Sequence, residues 1–289
     1  MSPAKDQTRP PVLGRFSRMA SHVIPWLRRV RAELREQDRR IAKLTAKSTE
    51  QKRQIKDLEK VASRLVARTL GDAELPPEAL RMHVGRVAHA GNFWAQGLDS
   101  SDRVIEVFGE DPGGPVLDWG CGSGRTHFWL RGHPAWAAHY RGCDVDAEAV
   151  AWLKARRGAA VEVCGDHPPL PYPDASLEGL FCFSVLTHIH PLRHRTWYQE
   201  IRRVLKPGGR AYVTVHGDDN IHTGRVFTEA ERRAYAEAGW SWSKRKGHYK
   251  HAAAVSRAFT RAALEGLFEI ERYHVLGYHS MDDLIIRRL

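Results

Sequence analysis

The stretch that decides the fold reads Val116-Leu117-Asp118-Trp119-Gly120-Cys121-Gly122-Ser123-Gly124-Arg125. Its first four residues predict a short apolar strand, its glycines a turn, and the residues from 125 to 131 a helix. Glycines let the backbone adopt positive φ and approach a ligand closely, and the helix behind the turn presents unpaired N–H groups. The motif therefore predicts a ligand-binding turn, with a purely structural turn as the alternative when it is taken alone.

The pattern of strand, turn and helix repeats along the chain after this glycine turn. Further strands are predicted over residues 139–143, 160–164, 177–183 and 210–216, and helices over residues 147–156 and 191–205. This alternation predicts an α/β fold with a parallel sheet that has helices on both faces. The runs 267–274 and 283–289 have no helical pattern between them, which predicts an antiparallel hairpin at the end.

A longer excursion, residues 217–260, separates the fifth strand from this hairpin and is interpreted as a substrate lid. It contains a helix that begins at a capping box of Thr228 and Glu231 and stops at Gly239. An aromatic and basic loop is predicted over residues 240–250. The side chains interpreted as a stacking surface for a sugar, or as ordinary lid packing, are Trp240, Trp242 and Tyr249.

Three acidic residues follow three of the predicted strands. Asp118 ends the first strand, Asp144 the second, and Asp166 follows the third. The glycine spacing differs from the Gly-x-Gly-x-x-Gly of dinucleotide enzymes. Carboxylates repel a pyrophosphate and attract an ammonium or sulfonium. The arrangement therefore favours a nucleoside that bears positive charge.

Five ordered motifs resemble those of the class I S-adenosylmethionine-dependent methyltransferases. They are residues 116–125, Gly142-Cys143-Asp144-Val145-Asp146, Gly165-Asp166 with residues 170–176, Ser184-Val185-Leu186-Thr187-His188-Ile189, and residues 200–209. The resemblance covers about residues 76–289. It implies a Rossmann-like, seven-stranded methyltransferase sheet with an antiparallel terminal hairpin, and S-adenosylmethionine as the cofactor.

The resemblance also implies which residues bind the cofactor. Asp118 would face the methionine ammonium, and Asp144 would hold the ribose hydroxyls. Asp166 would meet the adenine amine, and Ser184 would lie near the transferred methyl group. The remaining residues of the implied cofactor site are Gly120, Cys121, Gly122, Val145 and His167. Asp146 is interpreted as the N-cap of the next helix.

Histidines near the ends of the fourth and fifth strands are the candidates for a catalytic base. They are His188, His190 and His216. A hydroxyl acceptor needs such a base, although these side chains could instead only shape the pocket. No metal site is expected, because no clustered Asp-Asp-Asn set resembles that of the magnesium-dependent catechol enzymes. The residues 184–187 do not match the Asn-Pro-Pro-Tyr motif of base-modifying amino methyltransferases, which argues against DNA as the acceptor.

The basic charge is concentrated at the N-terminus. Of the net charge of +11 on 289 residues, residues 1–65 carry +10 and the remainder +1. Residues 1–21 are predicted to be a mobile basic tail. Apolar residues at alternating spacings of three and four, from Leu27 to Leu65, predict a coiled-coil helix over residues 22–70 and homo-oligomers that form through residues 27–65. A surface helix packed on the catalytic domain, residues 71–289, is the alternative.

The expected activity follows from a weaker resemblance to bacterial sugar and cell-surface polysaccharide methyltransferases, at residues 75–81, 214–217 and 277–284. It implies O-methylation of a sugar, glycan or other small hydroxylated metabolite. The alternatives are an RNA methyltransferase that uses the basic arm and a non-catalytic scaffold. The near-neutral charge beyond residue 65 argues against nucleic acid as a partner.

Four cysteines without a CxxC pair and no apolar run of about 20 residues favour a cytoplasmic protein. The basic tail leaves peripheral membrane contact open.

Overall fold

A computed structural model describes residues 75–83, 90–223, 227–244 and 251–289. The predicted basic tail, the coiled-coil helix and the oligomer interface at residues 27–65 lie outside the described residues. Within the described part of the chain, no helix is both long enough and apolar enough to cross a membrane.

The first half of the described chain alternates helices and strands. The helices are α1 (Glu78–His83), α2 (Ala90–Phe108), α3 (Arg125–Leu130), α4 (Pro134–His139) and α5 (Ala147–Arg157). The strands are β1 (Val116–Trp119), β2 (Tyr140–Asp144), β3 (Val161–Val163) and β4 (Leu177–Cys182). Asp146 caps α5 as expected, because its carboxylate accepts hydrogen bonds from the backbone N–H groups of Glu148 and Ala149.

The second half adds strands at one end of the sheet and a small separate hairpin. Two short 3₁₀ turns (Leu186–His188 and Pro191–Arg193) lead from β4 into α6 (His194–Val204) and β5 (Leu205–Val215). Then follow α7 (Asp218–Thr223), α8 (Glu229–Ala238), β6 (Trp240–Lys244), β7 (His251–Val255), α9 (Arg257–Leu264), β8 (Phe268–Tyr278) and β9 (Met281–Arg288).

One seven-stranded sheet organises the fold, with the strand order β3-β2-β1-β4-β5-β9-β8. The first five strands are parallel, whereas β9 pairs antiparallel with both β5 and β8. The predicted α/β class and the antiparallel terminal hairpin are therefore confirmed. The order reverses between β1 and β4, and in sheets of this type ligands bind beyond the carboxyl ends of the strands at such a point.

Two apolar cores cover the two faces of this sheet, because successive side chains of a buried strand point in opposite directions. In β4, Leu180 belongs to the core that includes Trp197 and Ile201 of α6. The next residue, Phe181, belongs to the core that includes Trp136 of α4. A strand that is buried on both faces needs apolar residues at nearly every position. The sequence therefore shows these strands as almost continuous apolar runs.

The excursion between β5 and β8 contains a strand hairpin that the sequence analysis did not predict. Its helix α8 has the expected capping box of Thr228 and Glu231 and the expected left-handed Gly239. However, Trp240–Lys244 is a strand and not a loop, and it pairs antiparallel with His251–Val255. Small serines at alternate positions point inward against alanines of β7, so the Trp-Ser-Trp-Ser run has the period of a strand. The segment 245–250 lies outside the described residues.

Candidate functional site

The glycine turn after β1 is tied to the end of β2. The N–H groups of Gly120 and Cys121 both donate to the carbonyl of Cys143, at 2.7 and 3.1 Å. Gly120, Gly122 and Gly124 all have positive φ, which favours glycine at each of these positions. The sequence therefore forms a tight backbone loop at the carboxyl edge of the sheet, beside the strand that carries Asp144.

Asp144 holds this loop from the neighbouring strand. Its Oδ2 accepts a 2.7 Å hydrogen bond from the N–H of Gly122, and its Oδ1 accepts a 2.8 Å bond from the N–H of Asp146. Burial raises the pKa of the Asp144 carboxyl, and these backbone hydrogen bonds oppose the rise. The second-strand acid is therefore buried against the glycine turn.

Asp118 lies on the next strand, only 3% exposed. The hydroxyl of Tyr140 donates a 2.8 Å hydrogen bond to its Oδ2. Burial raises the pKa of Asp118 to about 7, with the hydrogen bond from Tyr140 opposing the rise and the charge of Asp144 adding to it. Two buried carboxylates at one edge of a sheet form a site that a positively charged ligand would stabilise.

Tyr140 is a site residue that the sequence analysis missed. It pairs with Val116 at the start of β2, two residues before Gly142. A Cβ at Gly142 would lie 3.1 Å from the Tyr140 hydroxyl, so the glycine leaves room for the ring to reach Asp118. A tyrosine two residues before a strand glycine was visible in the sequence, but its direction depends on the register of the two strands.

The third acid lies at the rim of the site. Asp166 is exposed, and its carboxylate accepts a 2.6 Å hydrogen bond from Nδ1 of His167. Its backbone carbonyl accepts a bond from the guanidinium of Arg193. The residue that follows Asp144, Val145, is a large apolar side chain that is 54% exposed. These side chains surround the β2 and β3 ends of the same edge.

Ser184 has a left-handed backbone conformation, with φ of 62°. Its N–H donates a 2.7 Å hydrogen bond to Oγ1 of Thr214 on β5. The Thr187 hydroxyl donates to the carbonyl of Ser184, so Oγ of Ser184 donates in turn to Oγ1 of Thr187. Such strain in a non-glycine residue persists only where neighbouring bonds hold it, and it is concentrated at functional sites.

Two of the three candidate histidines share one structural support. Nδ1 of His188 donates to the carbonyl of His251 at 2.9 Å, and Nδ1 of His216 donates to the carbonyl of Ala253 at 3.0 Å. The acceptors lie two residues apart on β7. A carbonyl can only accept, so each ring carries its proton on Nδ1 and has its lone pair on Nε2 when neutral. Burial lowers the pKa of His188, which favours this neutral form.

The third histidine has the opposite arrangement. Nδ1 of His190 accepts a 3.3 Å hydrogen bond from the N–H of Leu192 and caps the second 3₁₀ turn. Its ring lies 5.3 Å from that of Trp240 and 5.1 Å from that of Trp242. Trp242 stacks on His251 at 4.5 Å. The tryptophans of β6 therefore pack against His190, which follows β4, and against His251 of β7.

Metal-ligand side chains do not cluster in this region. Among the residues that the structure describes, no group of three or more His, Cys, Asp or Glu side chains is arranged to hold a metal ion.

Residues 117–213 match a protein family described as "Methyltransferase domain". Over 121 residues the chain is 33% identical to malonyl-[acyl-carrier protein] O-methyltransferase of Herminiimonas arsenicoxydans, which is 42% of this chain and 44% of that protein. Over 164 residues it is 34% identical to sterol 24-C-methyltransferase ERG6B of Gibberella zeae, which is 52% of this chain and 41% of that protein. The chain thus spans less than half the length of these two curated relatives.

A solved structure has the same fold. The S-adenosylmethionine-dependent methyltransferase of Methanosarcina mazei aligns with 65% of this chain and 97% of its own, with a TM-score of 0.51 and 21% identity. The family match over residues 117–213 and the shared fold together identify a class I S-adenosylmethionine-dependent methyltransferase domain in this chain. The family uses S-adenosylmethionine as its cofactor.

The side chains at the sheet edge fit this cofactor. Asp118 and Asp144 are both buried, and burial disfavours their ionisation, so a cationic ligand beside them would offset that cost. The three positive-φ glycines leave alternate positions of the loop between them without a side chain. These residues would hold the amino acid end and the ribose of the cofactor, while Val145 and Asp166 would lie beside the base.

Proposed function

We propose that this protein transfers a methyl group from S-adenosylmethionine to a hydroxyl oxygen of a sugar, a glycan or another small hydroxylated metabolite. The observation that carries the proposal is the paired support of His188 and His216 by one strand. Both rings belong to the ends of β4 and β5, the two neighbouring strands on the acceptor side of the sheet.

The chemistry requires a proton acceptor beside the reacting oxygen. When bound, S-adenosylmethionine supplies an electrophilic methyl group on a sulfonium. The acceptor oxygen would take this methyl group in exchange for its hydroxyl proton, which Nε2 of His188 or His216 would accept. Nδ1–H bonds to a fixed carbonyl would stabilise the imidazolium that results, because the proton on Nδ1 stays shared with an acceptor.

Exclusion of water is the second task of these residues. His188 is half-buried, and the β6–β7 hairpin packs against the turn that carries it. A methyl donor held in such an enclosed site reacts with the aligned acceptor instead of with solvent. The small core of Ile221, Phe227, Tyr235, Ala252 and Ala254 keeps the hairpin in place.

The test is methyl transfer from tritium-labelled S-adenosylmethionine to a panel of hydroxylated sugars and metabolites, with bulk RNA as a separate acceptor. The expected result is label in a hydroxylated acceptor, reduced in His188→Gln or His216→Gln and unchanged in His133→Gln at the N-cap of α4. Label in RNA alone would support the RNA alternative. Binding of cofactor without transfer to any class would support the scaffold alternative.

A further inference from the structure

Arg125 begins α3 directly after the glycine turn and is fixed against α2. Its Nη1 donates a 2.6 Å hydrogen bond to Oε1 of Gln96. A Cβ at Gly97 would lie 2.5 Å from the carbonyl oxygen of Arg125, so the two helices approach here because residue 97 has no side chain. The guanidinium is therefore positioned by packing and by a hydrogen bond, not by a mobile surface contact.

The hydrogen bond to Gln96 leaves one buried donor of this guanidinium, Nε, without a partner among the described residues. Oγ of Ser123, two residues earlier in the glycine turn and 0% exposed, is in the same condition. A buried charged donor without an acceptor is unfavourable, because it has lost its hydrogen bonds to water. An anionic acceptor at this place would remove that cost.

The positive charge of Arg125 lies close to the negative charge of Asp118. Burial raises the pKa of Asp118, and the nearby guanidinium of Arg125 acts in the opposite direction. Nevertheless the two side chains make no direct ion pair within the described structure. They flank the glycine turn, since Asp118 lies in β1 before it and Arg125 follows it. A negative and a positive side chain at the two ends of one loop are complementary to the ammonium and the carboxylate of an α-amino acid.

We propose that Arg125 binds a carboxylate, namely the α-carboxylate at the methionyl end of the cofactor, while Asp118 faces the ammonium of the same group. The inference rests on the proposed use of S-adenosylmethionine, and it gives Arg125, the last residue of the first motif, a role that the resemblance did not assign. A planar guanidinium suits this task because it can donate two parallel hydrogen bonds to one carboxylate.

The test compares two ligands that differ only in the carboxylate. S-adenosylhomocysteine and its decarboxylated amine analogue are titrated calorimetrically into the wild type, Arg125→Met, Arg125→Lys and Arg131→Met. Arg131, at the other end of α3, lies over the ring of Phe128 and serves as the matched control. We expect Arg125→Met to weaken S-adenosylhomocysteine about tenfold or more, to leave the decarboxylated analogue within about twofold, and Arg125→Lys to fall between.

The other possible outcomes distinguish carboxylate recognition from the alternative roles of Arg125. Equal weakening of both ligands by Arg125→Met, with an unchanged melting temperature, overturns carboxylate recognition. Unchanged binding of both ligands with a raised KM for a carboxylate-bearing acceptor overturns the cofactor assignment and moves the same chemistry to the acceptor. If Arg125→Met does not fold, Arg125→Lys decides, because retained discrimination at wild-type strength would contradict a bidentate bond. Failure of folded wild type to bind S-adenosylhomocysteine would remove the proposed function itself.

Discussion

The hydroxyl of Tyr140 donates a 2.8 Å hydrogen bond to a carboxylate, Asp118, whose pKa burial raises to about 7. The bond stabilises the ionised carboxylate, whereas burial and the charge of Asp144 destabilise it. Asp118 therefore changes its protonation within the pH range in which the enzyme would work. The cofactor's ammonium would favour the ionised form and so couple binding to proton release.

The first prediction is a proton-linked cofactor affinity. Below about pH 7, binding of S-adenosylhomocysteine must expel a proton from Asp118, so affinity should rise by up to about tenfold per pH unit and level off above pH 7. Calorimetry at pH 6 in two buffers of different ionisation enthalpy measures the released proton. Asp118→Asn should abolish the release, and equal heats in both buffers for the wild type would contradict the linkage.

The same group gives the cofactor-free protein a pH-dependent stability. Because its pKa is raised from 3.8 to about 7 in the folded state, the folded chain holds this proton more tightly than the unfolded chain. The contribution of this bound proton to the stability of the folded state is complete below about pH 4 and is lost as the pH rises through 7. Tyr140→Phe should move the midpoint of cofactor affinity upward by about one to two pH units, since a hydrogen bond to a charged group contributes about 1.5–3 kcal/mol.

The second prediction concerns Asp144, which both supports the glycine turn and is expected to hold the ribose. Asp144→Ala removes the acceptor for the N–H groups of Gly122 and Asp146. We expect S-adenosylhomocysteine to bind at least about tenfold more weakly, with a lower melting temperature. Asp144→Asn retains one acceptor oxygen and should lose less of both. Titration calorimetry and thermal unfolding separate the two effects, and undiminished affinity in Asp144→Ala would exclude a ribose role.

The third prediction concerns the acid limb of the pH–rate profile, which should lie at a lower pH than an ordinary histidine would give. If His188 is the base, the reaction needs its neutral form, and burial lowers its pKa. The rate should therefore increase with pH, with the midpoint of the rise below the usual value of about 6.5. His188→Gln should reduce kcat about 10²- to 10⁴-fold and remove that limb from the pH–rate profile. A profile that keeps the limb in His188→Gln but loses it in His216→Gln would assign the base to His216.

The sequence predicted those features that local chemistry decides. The glycine turn, the cap at Asp146 and the apolar strand β4 each follow from a few adjacent residues. The Trp240–Lys244 strand was taken for a loop because its tryptophans and its final lysine resemble an exposed lid, although its alternation with serine has strand period.

The tertiary relations of the site could not be obtained in the same way. Tyr140 reaches Asp118 only through the register of β1 and β2 and the missing side chain of Gly142. The shared support of His188 and His216 depends on β7, a strand that the sequence analysis did not predict. Such contacts join residues far apart in the chain, and no local pattern encodes them. The roles of the candidate site residues remain predictions.

The fourth prediction separates backbone strain from steric conflict in the glycine turn. Gly120 and Gly158 both have positive φ, but a Cβ at Gly120 would lie 2.4 Å from Cγ2 of Val185, whereas nothing lies within 4 Å of one at Gly158. Valine is stiff about χ1 and cannot turn away easily. Gly158→Ala should lower the free energy of unfolding by about 1 kcal/mol, and Gly120→Ala by a further 1–3 kcal/mol. Urea unfolding measures both, and equal losses would mean that Val185 yields without cost.

The fifth prediction concerns the N-terminal segment, which the heptad spacing assigns to a coiled coil. We propose that residues 27–65 assemble the protein into oligomers and that the catalytic domain binds its cofactor without them. A chain that lacks residues 1–70 should have a monomeric mass by light scattering and an unchanged affinity for S-adenosylhomocysteine. An unchanged oligomeric mass after the deletion would refute the coiled-coil assignment.

A matched pair of substitutions tests the seam without removing the basic tail. Ile41 occupies an a position of the heptads, and Ala46 lies on the outward face of the same turn of sequence. Lysine at a buried a position opposes association, whereas lysine on the outer face is solvated. Ile41→Lys should therefore lower the mass, and Ala46→Lys should leave it unchanged. Equal masses for both variants would favour the alternative of a helix packed on the catalytic domain, since the seam would then not hold copies together.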